Sequence, residues 1–249
     1  FELTQPLAGK EAYLQGHIPG AFYADLNQNL SAQPGQAKAS GGRHPLPERT
    51  FFAHWLGQMG MTAQTQVVAY DRNQNMFAGR LWWMCKWLGH EAVAVLDGGF
   101  AAWLAAGYPV QTAIPEPKQP SQFSPTQSLV TLLDAQDVLQ ELGGGKQTIV
   151  DARAAARFSG QNEPIDPVAG HIPGARNRPF TDNLQADGRF KPAQVLRQEF
   201  EALLEAQTSN MPTRIVHQCG SGVSALPNLL AMELAGLGRQ ALYAGSWSD

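Results

Sequence analysis

Cysteine is scarce in this chain. Only Cys85 and Cys219 occur among 249 residues, one inside an apolar helical run and one in a glycine-rich loop. Two cysteines in such unlike settings make no disulfide framework, and a reducing cytoplasm is the expected compartment. The six histidines show no metal-ligand spacing with them, so no metal is expected. Charge is sparse too. Lys and Arg number 18 against 21 Asp and Glu, and the net charge of −3 gives no electrostatic footprint for nucleic acid. No apolar run is long enough to span a membrane. No signal peptide is visible, but the chain opens on Phe1 rather than Met, so an upstream segment is expected. What remains is a chain 43% hydrophobic, long enough for a sizeable core and for one or two domains.

The pattern that is present is a repeat. Gly16-His17-Ile18-Pro19-Gly20-Ala21 recurs as Gly170-His171-Ile172-Pro173-Gly174-Ala175. The strand-like run Val67-Val68-Ala69-Tyr70-Asp71 aligns with Ile215-Val216-His217-Gln218-Cys219, and Asp97-Gly98-Gly99-Phe100 resembles Ala244-Gly245-Ser246-Trp247. Three matches in one order imply two copies of one domain. The second copy also has Gln147-Thr148-Ile149-Val150-Asp151-Ala152-Arg153, a strand ending in Asp, whose counterpart would fall before Phe1. We therefore expect a chain clipped at both ends and a first domain lacking a central strand.

In copy one, residues 47–59, 78–88 and 98–106 read as helices, and 66–70 and 92–96 as strands, the first of them buried. Trp82, Trp83 and Trp87 fall at helical spacing and are expected in the core rather than on a binding platform. Residues 107–125 hold Pro109, Pro115, Pro117, Pro120 and Pro125 and read as a semi-rigid linker between domains 1–106 and 126–249. In copy two, Asp134 caps a helix to Leu142 that the glycines 143–145 end; a helix over about 192–204 follows, then a strand at 215. Strands alternating with helices predict α/β domains, each a parallel sheet covered on both faces.

The chain is organised around Cys219-Gly220-Ser221-Gly222-Val223-Ser224, between that last strand and a helix beginning near Pro227 and closed by Gly236 and Gly238. A loop opening a helix points successive N–H groups inward, with partial positive charge from the dipole. Two glycines let it wrap closely around one atom. A thiolate there is stabilised by the N–H donors, and the cradle suits an anion bonded to sulfur. A cysteine serving only to pack would not require Gly-Ser-Gly beside it.

The paired Gly-His-Ile-Pro-Gly-Ala loops, the Asp151-Ala152-Arg153 strand end and the Cys219 loop together resemble the rhodanese superfamily, and within it the two-domain thiosulfate and 3-mercaptopyruvate sulfurtransferases. The resemblance implies two rhodanese-like domains with the nucleophile in the second alone; Asp71 stands at the cysteine position of the first, which is expected to be inactive. It implies a ping-pong reaction in which Cys219 becomes a persulfide and passes sulfur to cyanide, a thiol or thioredoxin, without cofactor, on a monomer. Gly220 and Ser221, where thiosulfate enzymes carry basic residues, match the mercaptopyruvate signature with Gly222, Val223 and Ser224. Arg157 matches the family's first substrate-carboxylate arginine. Ile165 stands where mercaptopyruvate enzymes carry a second, with Arg176 or Arg178 as substitutes, so thiosulfate stays open as donor.

The resemblance also implies a relay from Ser221 to His44, with Asn27 at the acid position and Asp25 two residues earlier. Packing alone is the competing reading of His44. His17 and His171 are expected to hold their turns, and Asp151 and Arg153 to pair structurally. A phosphatase or arsenate reductase needs an Arg closing the loop, and no Arg or Lys stands from Gly220 to Met232. A cysteine hydrolase would call on His217. A sulfur-carrier or interaction module without catalysis is the remaining alternative.

Overall fold

Short β-branched runs alternate with helical ones, and they fold as parallel sheets. The structure, a computed structural model, describes residues 5, 7–117, 119–205 and 214–249; Lys118, inside the expected linker, lies outside them. The chain divides into two compact units, one of Phe1–Ala39 and Leu46–Leu129, the other of Ser40–Pro45 and Val130–Asp249.

The first unit contains α1 (Ala8–Gln15), α2 (Arg49–Gln58), β1 (Val67–Ala69), α3 (Met76–Trp87), β2 (Val93–Val95) and α4 (Gly99–Ala105). Helix α2 starts two residues later than its sequence suggests because Glu48 is still extended. On α3, Trp82, Trp83 and Trp87 are buried, as their spacing predicts. Cys85 is buried beside them, and burial pushes its thiol up to about 12 against the lowering effect of Lys86. Strands β1 and β2 pair in parallel, Val67 opposite Val93 and Ala69 opposite Val95. The expectation of a buried strand over 66–70 fails at Val68, which is 57% exposed. Among the described residues β1 has a partner strand on one edge only. Val68 instead lines an open groove of about 590 Å³ with Tyr13, Leu26, Leu56 and Met61.

The second unit adds β3 (Thr131–Leu133), α5 (Ala135–Gln140), β4 (Gln147–Asp151), α6 (Ala155–Phe158), β5 (Arg176–Asn177), a 3-10 turn (Phe180–Asn183), α7 (Ala193–Glu205), β6 (Arg214–Gln218), α8 (Leu226–Leu234), β7 (Ala241–Tyr243) and a 3-10 turn (Ser246–Ser248). Asp134 caps α5 in a reciprocal box with Asp137, and α5 ends two residues before Leu142. The sheet runs β3-β7-β6-β4-β5, all parallel, with β6 between β7 and β4. Its residues alternate between two cores. Val216 joins Leu133, Val138, Ile149, Ala241 and Tyr243 on one face. His217 faces Phe200 of α7 and Met232 of α8 on the other. On α7, Leu196, Phe200 and Leu204 fall one turn apart and are fully buried, worth about 1.5–3 kcal/mol each. These two layers fix the C-terminal end of β6.

Candidate active site

At that end the chain turns from Gln218 through residues 219–225 into α8, where Pro227 occupies the first turn. Three hydrogen bonds from the last 3-10 turn hold the loop. Cys219 N–H donates to Ser246 Oγ at 3.1 Å. Trp247 N–H donates to the Cys219 carbonyl and Ser248 N–H to that of Gly220, each at 3.0 Å. Gly222 has φ +70°, and a Cβ there would lie 2.3 Å from the Ala244 carbonyl oxygen, so the tight wrap requires glycine. Cys219 itself is 1% exposed, at the base of the loop.

The first unit shows what such a loop holds. Asp71, at the position equivalent to Cys219, folds its carboxylate into its own loop. Oδ1 accepts N–H from Asn73 at 2.8 Å and Asn75 at 3.0 Å; Oδ2 accepts from Phe77 at 2.8 Å and Ala78 at 3.0 Å. The corresponding positions in the second unit are Ser221, Val223, Ala225 and Leu226. Leu226 N–H turns to the Val223 carbonyl at 3.2 Å, while the N–H groups of Ser221, Val223 and Ala225 meet no acceptor among the described residues. One copy fills its anion cradle with a fixed carboxylate. The other leaves three of the four equivalent N–H groups, those of Ser221, Val223 and Ala225, without an acceptor among the described residues.

Ser221 Oγ lies 2.8 Å from His44 Nδ1, and both side chains are buried. His44 arrives on a stretch that lies flat against the C-terminal turn. A Cβ on Gly41 would collide with the Asp249 carboxylate, and one on Gly42, at φ +81°, would lie 2.3 Å from the Gly245 carbonyl oxygen. Arg43 N–H donates to Ser248 Oγ at 2.9 Å. The two glycines of Gly41-Gly42-Arg43-His44 therefore bring both basic residues to the loop. Asp25 is engaged in its own turn, accepting N–H from Asn27 at 2.9 Å and Gln28 at 3.0 Å.

The arginine arrangement departs from the sequence reading. Arg157, on α6, grips Glu163 through Nε and Nη2 and reaches Asp166 Oδ2 from Nη2 at 2.9 Å. Asp166 Oδ1 receives Arg43 Nη1. The two guanidiniums thus share one buried carboxylate and converge on Gly220. A Cβ on Gly220 would lie 3.3 Å from Nη2 of each. The substitutes expected for the missing second arginine do not reach there. Arg176 donates to the Leu203 carbonyl, and Arg178 binds Asn183 and Glu199 beneath Phe200. Arg43 was legible only as the neighbour of His44. Burial alone would raise the Glu163 carboxyl. Hydrogen bonds from Arg157 and from the Asp166 and Ile165 N–H groups, with the Arg157 charge, outweigh that and bring it down to about 2. Glu163 therefore stays ionised opposite Arg157 throughout the neutral range.

The other sequence-derived roles sort cleanly. His17 Nδ1 meets the Tyr13 carbonyl at 2.8 Å with its ring stacked on Tyr13, and His171 repeats the arrangement on Phe158. Both hold their own turns. Arg153 and Asp151 form a fully buried pair at 2.7 Å. His217 has Nε2 3.0 Å from Met232 Sδ, and burial, aided by Arg178, lowers its ring to about 3. It is locked neutral in the core and is no partner for a cysteine hydrolase. No group of three or more His, Cys, Asp or Glu among the described residues is placed to hold a metal.

Known proteins carry the same organisation. The family described as "Rhodanese-like domain" matches residues 8–106 and again 134–249. A probable 3-mercaptopyruvate sulfurtransferase of Pseudomonas aeruginosa is 45% identical over 250 residues, covering 100% of this chain and 86% of that protein. Thiosulfate sulfurtransferase of Bos taurus is 35% identical over 245 residues, covering 96% and 79%. The crystal structure of SseA from Escherichia coli, described with the 3-mercaptopyruvate sulfotransferases, matches at a TM-score of 0.80 and 30% identity, covering 100% of this chain and 88% of that one.

Proposed function

The chain belongs to the rhodanese-like sulfurtransferases, and on that premise we propose that it takes sulfur from 3-mercaptopyruvate onto Cys219 and delivers it to a thiophilic acceptor. The observation that carries this reading is that the N–H groups of Ser221, Val223 and Ala225, in the loop that Cys219 opens, lack an acceptor among the described residues, whereas their counterparts in the other copy are occupied by Asp71. Preorganised donors stabilise both the attacking thiolate and the persulfide anion without reorganisation.

In the first half-reaction the Cys219 thiolate attacks the donor sulfur. The S–S bond forms as the donor's C–S bond breaks, and the electron pair leaves on carbon as the pyruvate enolate. The enolate takes one proton and becomes pyruvate. Ser221, hydrogen-bonded to His44, delivers that proton. Arg43 and Arg157, converging over Gly220, hold the donor carboxylate. In the second half-reaction cyanide or a thiol, including the thiol of a thioredoxin, attacks the outer sulfur, and Cys219 leaves as thiolate. The work is done by a monomer in a reducing cytoplasm, where unpaired cysteines persist.

The arginine pair also favours a second reading. Two guanidiniums suit a dianion, so thiosulfate is the competing donor. Thiocyanate formation from cyanide, followed with each donor in turn, tests both. A higher kcat/KM for mercaptopyruvate supports the reading given; a wide margin for thiosulfate moves the donor assignment. No turnover with either would leave a sulfur-carrier or interaction module.

A further inference from the structure

Residue 246 breaks a local rule that its counterpart obeys. In the first unit Gly99 has φ +57°, and Phe100 N–H after it donates to the Asp71 carbonyl at 2.9 Å. In the second unit Ser246 has φ +60°, and Trp247 N–H after it donates to the Cys219 carbonyl at 3.0 Å. The turns are the same, and the left-handed conformation favours glycine in both. The copy whose loop carries an aspartate uses glycine. The copy whose loop carries the cysteine uses a serine, 97% buried, in a conformation that costs a side chain.

The hydroxyl explains the choice. Ser246 Oγ accepts the Cys219 N–H at 3.1 Å and donates to the Tyr243 carbonyl at 2.9 Å. It ties the residue bearing the nucleophile to the end of β7. It also takes up a buried N–H that glycine would leave without a partner. We infer that Ser246 is a positioning residue for sulfur transfer, its hydroxyl orienting the Cys219 main chain and, through it, the thiol. It touches neither donor nor acceptor, and it acts through Cys219. The inference rests on Cys219 being the nucleophile of the proposed transfer.

The test uses the whole chain with Ser246→Gly and Ser246→Ala. Three quantities are read: the thermal midpoint, the rate of Cys219 alkylation by iodoacetamide at pH 7, and kcat and KM for mercaptopyruvate with cyanide as acceptor. Both variants lose the hydroxyl, and only Ser246→Gly relaxes the backbone. Losing one buried hydrogen bond at the nucleophile should slow alkylation and kcat about tenfold in both variants, with KM within about twofold of wild type. A purely structural role predicts the opposite for glycine, which copy one uses at this very turn. Wild-type kcat and alkylation in Ser246→Gly would therefore overturn the inference. So would a raised KM at unchanged kcat, or failure of Ser246→Gly to fold. The alkylation comparison needs no donor. A wild-type protein that alkylates at Cys219 but turns over neither donor would sink the proposed function and leave the Ser246 comparison standing.

Discussion

Asp166 accepts Arg157 Nη2 at 2.9 Å on one carboxylate oxygen and Arg43 on the other, with its own side chain 3% exposed. One buried carboxylate thus sets the spacing of two cations that come from distant parts of the sequence. Removing it leaves two guanidiniums facing each other without a shared counter-ion. Asp166→Asn should raise KM for mercaptopyruvate about tenfold, the equivalent of about 1.4 kcal/mol of lost binding, while kcat moves much less. Arg43→Ala should act in the same direction. Steady-state kinetics at fixed ionic strength checks this. An unchanged KM in both variants would remove the arginine pair from donor binding.

The 2.8 Å contact between His44 Nδ1 and Ser221 Oγ makes a donor-specific prediction. Mercaptopyruvate leaves an enolate that needs a proton, whereas thiosulfate leaves sulfite, which needs none. His44→Gln and Ser221→Ala should therefore lower kcat with mercaptopyruvate by about 10²-fold or more and leave thiosulfate turnover within a few-fold. Equal losses with both donors would show that the pair shapes the loop rather than moving a proton.

His217 makes stability depend on pH. Its ring is held down to about 3 in the folded chain, against about 6.5 when unfolded. Between those values the unfolded chain binds a proton that the folded one does not. Stability is thus complete above pH 6.5 and falls as pH drops toward 3, by up to about 1.4 kcal/mol per pH unit. Glu163, depressed to about 2, adds its own loss only below the ordinary carboxylate range near pH 4.3. Urea unfolding between pH 6.5 and 4.5 therefore isolates the histidine. His217→Leu should flatten the curve there, and an unchanged slope would contradict the burial argument.

Local chemistry made much of this legible in advance. The two Gly-His-Ile-Pro-Gly turns and the Asp134 cap depend on residues a few positions apart, and each took its expected form; the Cys219 loop falls between strand β6 and helix α8 where the sequence puts it. Ser221 and His44 also meet, although they lie 177 positions apart, because a family resemblance carries spatial information that periodicity does not. The misses share a cause. Arg43 reaches Asp166 only because Gly41 and Gly42 let their stretch lie against residues 245–249. Arg176 and Arg178 are drawn instead toward Leu203, Asn183 and Glu199. Val68 carries the pattern of a buried strand, but β1 is paired on one edge only among the described residues. Ser246 looks like an ordinary serine until its backbone angle is known. Each of these depends on long-range packing.

In the proposed reaction Cys219 alone carries sulfur. Both cysteines are buried, but three N–H groups of the loop after Cys219 lack an acceptor among the described residues, whereas the Cys85 thiol on α3 is pushed up to about 12. The most direct measurement is mass spectrometry of the protein after reaction with mercaptopyruvate and no acceptor, with the modified peptide identified. One added sulfur on the peptide containing Cys219, none on that containing Cys85, and its removal by cyanide are the predicted result. No added sulfur, or sulfur on Cys85, would contradict the account.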